Sequence, residues 1–273
     1  MMKQLARLKF SSFGLKVPTN WQTPAGDPEG SQYTNAFKPE ERNTAPDTVV
    51  PPLFMPATLN KYHTDTQKMH NAEIGKFLDG IVTAICSAWG KWQTMASMTG
   101  VIINAAVASV GQVVGPPITP FILAEAPKSK PSEAKYSQVI ATVIGNAWLA
   151  YTATIKIPGL PWYPAFTAFP APVAAPMPNV PTPVIALTQV TAALEVSVMK
   201  MQMVGMLADP MAPFHKELFE AVCDGFDKCF KIWQASTMVT NVLGFGPVPS
   251  WTPLSPAGPV VMGTGNMLPG GFT

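Results

Sequence analysis

The residues able to do chemistry are few, and none is arranged for it. His63, Asp65 and His70 fall near a helix start. His63 and His70 are seven positions apart, a spacing that turns both side chains to one face of a helix, as a metal pair requires. Two histidines on a polar surface are more often just solvated, and no third strong donor completes the set. His215 follows Pro213-Phe214 in the opening turn of a helix, where Glu217 suits the positive end of the dipole. No serine or cysteine stands beside it as a nucleophile. Cys223 and Cys229 are six apart and fall on different helix faces; with Cys86 they make neither a zinc quartet nor a disulfide framework. They read as ordinary core thiols of a reducing compartment.

GTGNMLPGG, from Gly263 to Gly271, lacks the Lys-Ser/Thr of a phosphate loop and the strand–helix setting of a dinucleotide fingerprint. It reads as a flexible tail. Asp209, Asp224 and Asp227 lie beside basic residues, a pattern of solvated ion pairs more than of paired catalytic carboxylates. Met199, Met201, Met203 and Met206 alternate too locally to form one helix face, and read as core or interface filler rather than a copper site. No catalytic, cofactor or metal site is therefore expected, and the chain reads as a non-enzyme.

Composition bounds what remains. Charged residues are 12% of the 273 and hydrophobic ones 47%, against about 25% charged in an average soluble domain. A chain so poor in charge is expected to hide much of its surface against protein or lipid. The net charge of +2 comes from scattered Lys and Arg, which excludes the basic footprint of a nucleic-acid binder. The N-terminus carries Lys3, Arg7 and Lys9 without a following apolar run, so no signal peptide is expected and synthesis in a reducing cytoplasm is.

The elements that would position these residues read as a mainly α fold, several apolar helices joined by long proline-rich extended arms. Residues 1–60 form an extended polar arm, broken by Asp27-Pro28, Lys38-Pro39, Ala45-Pro46 and Pro51-Pro52. A helical body covers 61–243 with internal arms at 115–131 and 157–183, and 244–273 is a Gly/Pro-rich tail. The first helix begins near Thr64 or Asn71 and runs through Trp92 toward Gly100 or beyond. The others span about 132–154, 188–207 and 213–243. In the last, Leu218, Val222, Phe226, Cys229, Phe230 and Trp233 recur every three or four residues, with Lys and acidic residues opposite. The third could equally be a strand, since its Thr-Val-rich text fits either.

A three-fold internal quasi-repeat is also legible. Superimposing Trp92 on Trp233 places Trp89 over Phe230; superimposing Trp89 on Trp148 places Trp92 over Tyr151. Each helix is followed by an arm of Gly, proline, bulky residue, polar residue and proline: GPPITPF, GLPWYPAF with Trp162 and Tyr163, and GPVPSWTPL with Trp251. Aromatics three apart make a ridge on a helix, and arm aromatics could dock on a neighbour's ridge. Amphipathic helices ending in Gly-Pro also converge on such text by chance. The nine aromatics Trp89, Trp92, Trp148, Tyr151, Phe230, Trp233, Trp162, Tyr163 and Trp251 are the candidate interaction residues.

Uncharged stretches between Lys91 and Glu125 and between Lys135 and Lys156 are long enough to cross a bilayer. Asn104, Gln112, Asn146 and Gly115-Pro116-Pro117 interrupt them, which favours helical assembly without lipid. The segments IVTAICSAWGKWQTMASMTGVI, IPGLPWYPAF and FDKCFKIWQASTMVTNVLGFGPVP resemble those of small accessory proteins of phage tails and contractile injection systems, over about residues 75–273. That resemblance implies a baseplate, tube-lumen or spike-associated subunit, resident in a particle or virion, in several copies, as a trimer or on the symmetry axis, with other subunits as partners. It transfers no functional residue. The competing expectation is a membrane-active or pore-forming protein.

Overall fold

The computed structural model describes residues 1–15, 57–209, 212 and 214–273, with side chains of the long second helix described from Lys68 onward. It divides into two compact units, one made of Met1–Ser12 with Phe77–Thr273, the other of Phe13–Lys76. Within the smaller unit, the Asn71 side-chain amide donates to the Leu15 carbonyl at 3.4 Å. Most of the extended N-terminal arm expected over 1–60 lies outside the described residues. Its beginning is not extended, because Met2–Ser12 is a helix, α1.

Among the described residues the remaining α-helices are α2 (Ala57–Met95), α3 (Thr119–Glu125), α4 (Pro131–Thr152), α5 (Val196–Leu207) and α6 (His215–Ser236). α4 is opened by Pro131, whose missing N–H costs nothing in the first turn. The Glu133 carboxylate accepts from the Ser129 and Lys130 N–H groups there. α6 buries Leu218, Val222, Phe226, Phe230 and Trp233, while Lys228–Asp224 and Lys231–Asp227 pair across one turn on the outside, at 2.7 Å each. The expected third helix is shorter than read. It starts at Val196, and the text before it makes single 3-10 turns at Val184–Ala186 and Ala192–Leu194.

The mainly α expectation is overturned by a six-stranded antiparallel sheet. Its strands are β1 (Ser97–Asn104), β2 (Val107–Val114), β3 (Ile157–Leu160), β4 (Val173–Met177), β7 (Val242–Pro247) and β8 (Gly263–Met267), in the order β3-β2-β1-β8-β7-β4. The short strands β5 (Thr182–Pro183) and β6 (Met238–Val239) pair separately. Stretches taken for helix and tail supply the sheet. VIINAAVASVGQVV is a hairpin, its two-residue turn at Ala105-Ala106 with φ +51° at Ala105, where a glycine or asparagine would be the usual signal. Tertiary bonds hold that turn: Ala105 N–H donates to Val260 O at 2.7 Å, and Tyr163 N–H to Ala106 O at 2.9 Å. GTGNM, expected as flexible tail, is β8, a central strand between β1 and β7.

Register fixes the two faces. Met98, Val113, Met267 and Val242 form one inward row, and Val101, Gly265 and Gly244 another. Glycines let the backbone come close here. A Cβ on Gly244 would lie 2.7 Å from the Tyr163 ring, and one on Gly246 would lie 2.5 Å from the Gly263 Cα.

Candidate interaction site

Eight of the nine candidate aromatics are buried inside the chain, and six of them meet one another. Trp89 and Trp92 from α2, Trp148 and Tyr151 from α4, and Phe230 and Trp233 from α6 project into one cluster. Trp148 sits at its centre, with ring centroids 5.0 Å from Trp89, 4.8 Å from Trp92 and 5.5 Å from Trp233. Tyr151 meets Phe230 edge to face at 4.9 Å, the geometry that the ring quadrupoles favour. The ridges that the sequence reading offered to neighbouring subunits instead face each other, because three apolar stripes within one chain satisfy one another first. The polar tips are met only in part: the buried Nε1 groups of Trp89 and Trp148 have no hydrogen-bond partner, while others bond locally. Tyr151 Oη donates to Gln189 Oε1 at 2.6 Å, Gln234 Nε2 donates to the same oxygen at 3.0 Å, and Trp233 Nε1 donates to Gln93 Oε1 at 3.2 Å. Burial holds the Tyr151 and Tyr163 hydroxyls well above the ordinary phenol range, so neither is an accessible base.

The three arms do not form three equivalent grips, and the quasi-repeat stops at the helices. GPPITPF turns directly into α3. GLPWYPAF passes from β3 into the interior, where Trp162 and Tyr163 are buried and Tyr163 Oη donates to Val242 O at 2.7 Å. GPVPSWTPL leaves β7 for a surface turn, with Trp251 half-buried and Thr252 paired to Ser255. A cavity of about 110 Å³ lies beside Trp162, Tyr163, Phe166, Met177 and Asn179. The Asn179 amide is committed to Val180 O, Val239 O and Val242 N, and the Trp162 Nε1 has no partner. The space suits a small apolar group and offers nothing nucleophilic.

The other candidate chemistry stays dispersed. The side chains of His63 and Asp65 lie outside the described residues, and His70 is exposed on α2. His215 is buried against Phe219 and bonds the Ala212 carbonyl through Nδ1. Cys223 packs against Met203, and burial pushes its thiol up to about 12, the reverse of an activated cysteine. Among the described residues no group of three His, Cys, Asp or Glu could hold a metal ion, and no helix is long and apolar enough to cross a membrane.

The outward face of the sheet carries none of the charged, histidine or cysteine side chains that do chemistry. Ser109, Ile102, Thr264 and Phe245 make one row across β2, β1, β8 and β7, with Gln112–Thr99 and Asn266–Leu243 as neighbouring pairs. None of the six strands contains a charged residue, and none occurs from Ile232 to Thr273. Val114 is 49% exposed, Val173 60% and Phe245 40%. The edge strands β3 and β4 carry Pro158 and Pro176, which withhold ladder donors and discourage edge-to-edge growth. The face, not the edge, is what the sheet presents. Its legible signal was the alternation of Val and Ile with Thr, Asn and Gln. Compared with family models, curated proteins and solved structures, the chain matches none.

Proposed function

We propose that the chain is a non-enzymatic structural subunit of a large multi-protein particle, which contacts other subunits through the outward face of its six-stranded sheet. The observation that carries this is the combination of exposure and missing charge on that face. Solvated sheets of free-standing proteins are normally dressed with Lys, Glu and Asp. Here Val114, Val173, Phe245 and Leu243 stand among Ser, Thr, Asn and Gln, a mixture that suits an interface with an apolar centre and uncharged hydrogen-bonding partners. Six strands about 4.8 Å apart and about 20 Å long present roughly 600 Å², the per-partner size at the small end of stable interfaces. The resemblance to accessory proteins of phage tails and contractile injection systems gives the class of particle, with placement at a baseplate, tube lumen or spike.

The two uncharged stretches behind the membrane-active alternative differ in structure. The uncharged stretch after Lys91 is the end of α2, a hairpin and the short α3, and the one before Lys156 is the aromatic-bearing α4.

The test is light scattering on the purified chain, together with cross-linking mass spectrometry on the native particle. Cross-links are expected to join residues flanking the sheet, such as Lys156, to other subunits. A well-folded chain that stays monomeric up to high concentration, and co-purifies with no particle protein, overturns the reading.

A further inference from the structure

The indole N–H groups of Trp89, Trp148 and Trp162 are all buried without a partner, a state that costs free energy wherever water is excluded. Two of them lie in the helical cluster. Trp148 stands edge-on to Trp92, Phe226 and Phe230 there, and an N–H can rest on a ring face. Trp162 differs, because it borders open space. It is 2% exposed and forms part of the wall of the cavity of about 110 Å³. Trp162, Tyr163 and Phe166 make the buried floor, the last two stacked at 5.1 Å, and Pro164, Pro178 and Val180 make the exposed rim. The segments that build it continue from β3 and β4, the two opposite edges of the sheet. Val180 N–H donates to Trp162 O at 3.0 Å, and Asn179 is pinned to Val239 and Val242. The cavity is thus formed by the fold before any ligand arrives.

Its size and its one unspent polar group define the occupant. An apolar cavity of about 150 Å³ admits benzene, so this one holds a single small ring. Water is poorly served, since it needs roughly two to four polar partners. Among the side-chain nitrogens and oxygens of the lining, only Trp162 Nε1 lacks a partner. The fitting occupant is an apolar ring that brings an acceptor and no donor. Among amino acids that is proline, whose tertiary amide keeps its carbonyl and has no N–H. Aromatic-lined pockets read extended proline-bearing segments in this way. We propose that the cavity receives a prolyl ring from an extended segment of a partner protein, with the Trp162 N–H donating to a carbonyl of that segment. Tyr163 approaches Gly244 and Gly265 in the inward row of the sheet, so this contact is separate from the outward face and does not depend on it.

The test is titration of the ¹⁵N-labelled full chain with a blocked ten-proline peptide, read from the indole N–H signals of its seven tryptophans. Trp162→Phe keeps a ring in the wall, removes the donor and identifies the Trp162 signal by its loss. That signal is expected to move downfield as the hydrogen bond forms, with half-saturation near about 1 mM, weak as a single-ring contact is. A Gly-Ser peptide of equal length should leave it in place. Trp162→Phe should weaken binding about three- to tenfold. Ala165→Trp, at an exposed position on the cavity lining, should fill the mouth and abolish binding without touching the core. Phe245→Lys should leave it unchanged. No movement of the Trp162 signal overturns the proposal. Movement with toluene but not with the peptide also overturns it, and makes the cavity a site for free apolar molecules. Binding that survives Ala165→Trp, or is lost in Phe245→Lys, places the peptide elsewhere and overturns it as well. None of these results alters the sheet-mediated assembly reading, which is tested on the particle.

Discussion

The helical and sheet regions of the larger unit solve burial in opposite ways. Between α2, α4 and α6 the space is filled by bulk, with Trp89, Trp92, Trp148, Phe226, Phe230 and Trp233 meeting at ring distances of 4.8 to 6.5 Å. In the sheet the same end is reached by subtraction, with Gly244, Gly246, Gly263 and Gly265 drawing backbone onto Tyr163 and Val260. The exteriors differ as well. Ion pairs such as Asp224–Lys228 and Asp227–Lys231 dress the helices, whereas the strands carry no charge at all. One region is dressed with charge, and the other exposes an uncharged mixture of apolar and hydrogen-bonding side chains.

The largest expected effect breaks the bulk side of that contrast. Trp148→Ala leaves a void facing six aromatic neighbours and should cost about 3–5 kcal/mol, read from the urea midpoint. A loss under about 1 kcal/mol would show that the cluster is not the core. Gly246→Val attacks the subtractive side. Its Cβ meets the Gly263 Cα at 2.5 Å, main chain that cannot swing away, so about 3 kcal/mol is expected. Amide exchange in β7 and β8 should speed up well before that in α4; equal acceleration everywhere would mean the two regions open as one.

Phe245→Lys separates folding from assembly. The side chain is on the outward row and 40% exposed, so stability should move by no more than about 0.5 kcal/mol. If the proposed sheet-face contact holds, association with the particle should weaken about tenfold or more, roughly 1.4 kcal/mol. Unchanged association would remove Phe245 from the contact.

The contrast also explains what could be read from the chain alone. α6 and α4 were legible because period-3.6 burial and a proline start are local signals. Six of the nine aromatic residues offered as interaction residues meet one another inside the chain, since nothing in a single stripe says whether the facing stripe is in the same chain. The sheet was hidden for a different reason. Its hairpin turn is Ala105-Ala106, held by Val260 and Tyr163 from far along the chain. Its centre is glycine-rich text that propensity assigns to loops. Short-range rules see neither, and with the sheet unseen, its uncharged face could not be recognised as a surface.

The smallest effect concerns α1, whose contacts lie on the charged side of the comparison. Asp79→Asn keeps the shape and removes the charge that Arg7 and Lys3 hold. With the carboxylate partly exposed, about 0.5–1 kcal/mol is expected at pH 7. Hydrogen bonding from Arg7 holds the Asp79 carboxyl below its ordinary range, and Lys200 with Lys9 does the same for Glu220. A depressed pKa means that the unfolded chain takes up the proton first as pH falls. The stabilisation is therefore intact above about pH 4, the ordinary carboxylate value, and is lost as pH drops through the lower folded value. Since asparagine imitates the protonated acid, the gap between wild type and Asp79→Asn in urea midpoints should be full at neutral pH and close below about pH 4. The Glu220 contribution, common to both proteins, cancels from the difference. A gap that stays constant down to pH 3 would mean that Asp79 holds α1 by shape rather than by charge.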